Sequence, residues 1–290
     1  MKNSNYPSRS KGISLIELMI SLVIGLVVVG AVIVSMIGSN NAGKYQAAYS
    51  QMNEDAQIGL SILSREVRLA GFSQPTGYAN TAVAGATPTF NFAFTTVTRG
   101  VFGCDNTFVN PKATALACTA GTSTTPAFEV IYEADAATTV LTAGLPSDCL
   151  GQSIAGPPYI ARNRYYISAT ASGRPELYCA SDKAGGGAHP LIENIEAMRL
   201  WYGLPVAANP RQVVRYVSAT DVNTAGITEW DNVISVRICI LVRSAEPVLN
   251  SGGEDTLTYR NCNSDVVTSS DRLLRRAYFT TSTLRRQMPF

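Results

Sequence analysis

One acidic side chain sits in a stretch that otherwise avoids water. In Ile13-Ser14-Leu15-Ile16-Glu17-Leu18 the carboxylate of Glu17 lies four residues into an apolar segment. From Leu18 to Gly43 no residue is charged, a run of 26 residues. A carboxylate deep in a membrane helix costs roughly 2.5–3.5 kcal/mol on the insertion scale, and less near the edge. An acid so placed therefore needs an interfacial position or a cationic partner. Just upstream, residues Met1 to Gly12 hold Lys2, Arg9 and Lys11 and no acid. The chemistry on offer here is charge neutralisation rather than bond making.

Groups that could make or break bonds are sparse. His189 is the single histidine of the chain and stands between Gly185-Gly186-Gly187 and Pro190. A Ser-His-Asp or Cys-His system would have to use it, and no G-x-S-x-G accompanies it. No Walker A sequence and no H-E-x-x-H occurs. Ser8 to Lys11 fits S-x-x-K but lies in the basic N-terminal stretch. Asp221-Val222-Asn223 and Glu254-Asp255 lack the ligand spacing of a calcium loop and read as surface turns. The expectation is a non-enzymatic chain with no catalytic residue, no metal, no cofactor and no small-molecule substrate. Arg272, Arg275, Arg276, Arg285 and Arg286 would suit phosphate. Without a stacking platform they read as strand residues facing solvent or acids, so DNA is not the expected partner.

The six cysteines stand at 104, 118, 149, 179, 239 and 262. No C-x-x-C pair is present, which removes zinc-finger and thioredoxin-type chemistry. An even count behind an export-type N-terminus favours disulfides in an oxidising compartment. Spacing alone does not fix the pairing and leaves buried free thiols open. Sequential pairing is the expectation: Cys104–Cys118, Cys149–Cys179 and Cys239–Cys262.

The elements that must position these groups follow from composition and periodicity. Of 290 residues, 46% are hydrophobic and 15% charged, against a usual charged share of about a quarter. A long apolar segment is diluting an ordinary domain. The net charge of +2 sits in the first twelve residues; the remainder holds 20 basic and 21 acidic residues. As a helix, the uncharged run would span about 39 Å at ~1.5 Å per residue, enough to cross a hydrocarbon core of ~30 Å. It is longer than the apolar region of an ordinary secretory signal. The preceding Lys and Arg predict a cytoplasmic N-terminus. No proline occurs between Tyr6 and Pro75, and Tyr45, Tyr49, Met52, Ala56, Leu60, Leu63, Val67 and Ala70 keep a helical period. Glu54, Asp55, Arg65, Glu66 and Arg68 fall mostly off that stripe. Gly71 suits the C-terminal cap, and residues 38–43, rich in Gly, Ser and Asn, form a weak spot. Strands are predicted at 127–132, 159–168, 175–179, 196–203, 211–218, 232–243 and 275–284. In the sixth, Ile234, Val236, Ile238, Ile240 and Val242 make a core-facing row. Residues 75–126 and 144–158 read as loop-rich, and 181–190 as a flexible loop.

Lys11-Gly12-Ile13-Ser14-Leu15-Ile16-Glu17-Leu18 resembles the processing motif of type IV prepilins and type II secretion pseudopilins. The resemblance implies cleavage after Gly12, N-methylation of Ile13, and a Glu17 that neutralises a subunit's N-terminal amine during filament packing. Ile13 stands where phenylalanine is commoner. Leu63-Ser64-Arg65-Glu66-Val67-Arg68-Leu69-Ala70-Gly71-Phe72 resembles the helix end of PilW-type minor pilins. Trp230 to Ile238, Leu241 to Ser244, Arg275 to Thr281 and Leu284-Arg285 resemble late strands of the same group. Leader and strands together cover about a quarter of the chain, and residues 75–190 match no pattern of the group. The secretion pseudopilin of the J type is built alike and stays open as an alternative. A membrane-anchored envelope hydrolase is the remote one.

The resemblance implies an α+β fold, with a long N-terminal pilin helix, half transmembrane, packed on an antiparallel β-sheet domain with disulfide-braced loops. It divides the chain into a leader (1–12), a transmembrane or filament-core helix (13–43), its amphipathic continuation (44–72) and a β-rich periplasmic or extracellular domain (73–290). Implied partners are other minor pilins and the major pilin, the inner-membrane assembly platform, the prepilin peptidase and the membrane. Implied localisation is the inner membrane as a single-pass protein before assembly and the pilus or its tip afterwards. Replacing Gly12 by a bulky residue is expected to leave the leader uncut. Mass spectrometry of the N-terminus reads this directly, and normal processing of the variant would exclude cleavage at Gly12.

Overall fold

The computed structural model describes residues 12–79, 89–92, 99–121, 125–170, 173–183, 186–206, 209–225, 227–248 and 256–284. Residues 1–11 of the expected leader, and Glu254, Asp255, Arg285 and Arg286, lie outside them. Helix α1 runs unbroken from Leu15 to Leu69. Ser14 precedes it in an extended conformation, and Glu17 lies in the first turn, where an acid favours the helix dipole. The helix passes straight through residues 38–43, so the expected weak spot does not break it. It ends where Gly71 takes a φ of 74°, a left-handed conformation that glycine adopts at little steric cost.

The two halves of α1 meet different surroundings. From Ile13 to Ile37 every large apolar side chain is more than half exposed. Farther on, Met52, Ala56, Gly59, Leu63 and Val67 are buried against two antiparallel sheets. The first sheet is a simple meander: β1 (Val101–Cys104), β2 (Ala127–Glu133), β3 (Ile160–Ala169), β4 (Pro175–Ser181) and β5 (Ala188–Glu193), each paired with the next. Asn194, with φ 63°, carries the chain into the second sheet. That sheet contains β6 (Ile195–Val206), β7 (Asn209–Val217), β8 (Ser235–Arg243) and β11 (Arg275–Thr283), in the order β7-β6-β8-β11. Helix α2 (Ala219–Ala225) and a 3-10 turn (Ile227–Asn232) join β7 to β8. A hairpin, β9 (Leu257–Arg260) and β10 (Val266–Ser269), lies outside both sheets. Short two-stranded ladders form at 75–79 with 89–92 and at 141–142 with 145–146.

Seven strands stand close to their predicted positions. Others had no sequence signal. β1 is only four residues long but wholly buried, inside a stretch read as loop. The expected loop at 181–190 is partly strand, since Ala188-His189-Pro190 opens β5. Pro190 is tolerated because β5 is an edge strand with β4 as its one partner. The row Ile234, Val236, Ile238, Ile240 and Val242 is buried, as its alternation predicts. On the opposite face Cys239 and Leu241 are buried too, because the β9–β10 hairpin packs over them with Trp201, Tyr259 and Ala277.

All six cysteines are bonded, as Cys104–Cys118, Cys149–Cys179 and Cys239–Cys262. The first closes the loop after β1, the second ties the segment before β3 to β4, and the third pins the hairpin to β8. Between the sheets, Tyr202 meets Trp230 edge-on with ring centroids 4.8 Å apart. The Tyr202 hydroxyl occupies the space that a side chain on Gly103 would need. Leu63, fully buried at the seam of α1 and the sheets, is expected to cost about 2–5 kcal/mol on truncation to alanine. Denaturant unfolding of the full chain in detergent measures this; a change below 1 kcal/mol, roughly what a surface substitution gives, would refute the packing.

Candidate functional site

Gly12, Ile13 and Glu17 stand at the tip of α1. The Ile13 side chain is 74% exposed. The backbone N–H of Leu18 donates to the Ser14 carbonyl at 3.1 Å, and the Ser21 hydroxyl donates to the Glu17 carbonyl at 2.7 Å. The Glu17 carboxylate is exposed and makes no ion pair among the described residues. The most apolar stretch of α1 is covered nowhere by the rest of the described chain. A helix apolar on every side belongs in a membrane or in the centre of a larger assembly.

The other end of α1 is locked to the sheets by polar contacts. The Ser64 and Ser282 hydroxyls lie 2.5 Å apart and are buried, and Arg68 donates to Ser64 Oγ at 2.8 Å. Tyr278 donates to Asn53 at 2.6 Å, and the Arg276 guanidinium lies over the Tyr49 ring at 5.2 Å. Beyond the helix, Gly71 N–H donates to the Ile131 carbonyl and Glu133 N–H to that of Phe72, each at 2.8 Å. The chain thus pairs with the second half of β2, where β1 leaves off. Gly12, Ile13 and Glu17 occupy a part of the molecule separate from the six cysteines.

Residues 7–33 match the prokaryotic N-terminal methylation motif, which spans Gly12, Ile13 and Glu17. Residues 164–286 match the family described as Type IV Pilus-assembly protein W, a stretch that opens within β3 and includes the whole second sheet. Over these two stretches the chain is similar to type IV pilus proteins. No curated protein sequence matches it. Among solved structures, a type IV-like pilin from Thermus thermophilus is 11% identical, over 82% of this chain and 100% of that one, with a TM-score of 0.36.

Two features of the chain had no sequence signal. Glu66, placed off the helical stripe by its period, is buried. It accepts from Asn163 Nδ2 at 2.8 Å and from the Tyr165 hydroxyl. It lines a polar cavity of about 240 Å³ with Arg65, Tyr132, Thr138, Asp148 and Asn163. Deeper in the meander, Arg164 pairs with Glu129 at 2.9 Å, both fully buried. Arg164 also donates to the carbonyls of Pro111 and Ala113 at 2.9 and 2.7 Å, which fastens the Cys104–Cys118 loop to the sheet.

Burial holds the Glu66 carboxyl above its ordinary value, against the opposing pull of hydrogen bonds from Asn163 and Tyr165. A carboxyl raised in the folded state binds more protons there than when unfolded. Its stabilisation is full below the unfolded carboxylate value and is lost as pH rises through the folded one. Glu66→Gln is therefore expected to gain stability relative to the native chain as pH rises from acid toward neutral. Melting temperatures of both proteins across that range test it, and parallel curves would refute the buried, raised carboxyl.

Proposed function

We propose that this chain is a minor pilin that primes type IV pilus assembly and sits in a low-copy complex at the filament tip, in support of twitching motility, adhesion or DNA uptake. The observation that carries the reading is the uncovered apolar half of α1, with Glu17 as its one charged side chain. Residues 1–12 would be the leader, 13–43 the membrane and filament-core segment, 44–72 its amphipathic continuation, and 73–290 the exported domain. Cleavage after Gly12 would leave the helix on the mature protein and create an amine at Ile13. An ion pair between that amine and Glu17 would gain far more in lipid or a helix core than in water. The membrane helix before assembly and the filament core afterwards would be one segment. Other minor pilins, the major pilin, the inner-membrane platform and the prepilin peptidase would be its partners.

Deleting the gene is expected to remove surface pili, and restoring it to return them, counted by electron microscopy. Unchanged pili with impaired exoprotein export would instead assign the chain to a secretion machine as a J-type pseudopilin. Glu17→Ala is expected to insert in the membrane normally but to enter filaments poorly. Fractionation of membranes and sheared filaments separates the two steps, and normal filament content of the variant would rule out the pairing role.

A further inference from the structure

We propose that the outer face of the second sheet is a docking surface for a neighbouring protein subunit that presents carboxylates. On this face the register sets Trp201 beside Arg237 and Thr281, and Arg199 beside Cys239 and Phe279. Arg199 and Arg237 are both exposed. They flank the Trp201 ring at 5.5 and 5.4 Å from its centroid, and Arg237 also lies 5.3 Å from that of Phe279. Neither guanidinium meets a carboxylate among the described residues. Elsewhere arginines do: Arg162 with Asp182, Arg164 with Glu129, Arg174 with Glu246, and Arg275 with Glu196 and Asp271.

The next row holds Tyr216, Gly203, Ser235 and Thr283 and adds no acid. Phe279 is 43% and Tyr216 42% exposed. Beside the stripe, the disulfide-pinned β9–β10 hairpin raises a rim over a cavity of about 260 Å³ that Arg199 helps to line. Of the acids near this rim among the described residues, Glu196 and Asp271 are taken up by Arg275, and Asp265, on the hairpin itself, accepts from Asn261 Nδ2 at 3.2 Å.

Arginine and aromatic side chains together are what protein interfaces and their energetic centres concentrate, and two unpaired cations select an anionic counterpart. A second copy joined through the same face would set arginine against arginine. A nucleic acid would draw on a long basic track, whereas beyond the first twelve residues the chain holds 20 basic and 21 acidic residues. The neighbour's identity as a filament subunit rests on the function proposed above; its chemistry does not.

The test is a photo-cross-linking residue at the exposed position 281 of the full chain, expressed in its own cells. The expected product is an adduct with a different pilin-class protein through a peptide rich in Asp or Glu. Arg199→Glu with Arg237→Glu should cut the adduct at least tenfold without altering the melting temperature. Arg237→Gln should lower it less, and Arg174→Glu, in the turn that joins β3 to β4, should leave it unchanged. Lysines in place of the partner's carboxylates should restore it to the charge-reversed chain. No protein adduct, a nuclease-sensitive one, an adduct with a second copy, or one indifferent to both the Arg199/Arg237 charge reversal and Arg237→Gln would overturn the proposal. An acidic-protein adduct in cells whose pili do not depend on the chain would keep the surface and retire the pilus assignment.

Discussion

Gly59 lets one helix touch two sheets at once. A Cβ at that position would lie 3.2 Å from Ile192 Cδ1 on β5 and 3.3 Å from Ile240 Cδ1 on β8. Without one, α1 settles into the groove between the meander and the second sheet. Met52, Ala56, Leu63 and Val67 then extend the same buried line. The two sheets follow each other directly through Asn194, so their covalent link is short. Much of what fixes one against the other is the helix wedged along their junction. The polar contacts of Asn53, Ser64 and Glu66 lie along the same line and set its register, since sliding the helix by a residue would unpair all three.

That wedge determines how the apolar half can act. A helix of 55 residues is long compared with the usual three or four turns, and its far half has no tertiary support. What keeps it helical is the want of proline and the density of Leu, Ile, Val and Met, in surroundings where backbone groups must satisfy each other. Because α1 continues without a break from the apolar half into the packed half, the two are mechanically joined. A force on the tip of the rod is delivered to the seam at Met52–Val67, and from there to both sheets.

The parts legible in the sequence are those whose physics is local. The uncharged run from Leu18 to Gly43, the helical stripe around Leu63 and the alternation of Ile234 to Val242 each declare themselves within a few residues. Glu66 did not, because its burial is set by Asn163 and Tyr165, nearly a hundred residues away. Nothing local marks Arg164 and Glu129 as a buried pair; only the pairing of β2 with β3 brings them together. β1 was missed because four residues carry too little pattern, and because Tyr202, which makes its Gly103 meaningful, arrives on another strand. Arg199 and Arg237 are unremarkable in sequence; only the register of β6 and β8 sets both beside Trp201. The motif at Gly12, Ile13 and Glu17 lies at the opposite extreme. It is wholly local, so it was legible without any fold.

The charged groups of the molecule obey one rule with different outcomes. Removing a carboxylate from water is costly unless a cation or several donors replace the water. Glu129 meets that demand with Arg164 and the more distant Arg99 at 3.9 Å. Glu66 is met mainly by neutral donors, Asn163 and Tyr165, and burial raises its proton affinity in consequence. Glu17 sits on a rod that only lipid or other helices can cover, and its own chain offers it no cation among the described residues. Glu66 and Glu129, buried in the folded domain, each find partners within the chain. Under the proposed function, the acid of the apolar helix would find its partner outside the folded domain, which would leave an isolated subunit electrostatically incomplete at the end where it would join others.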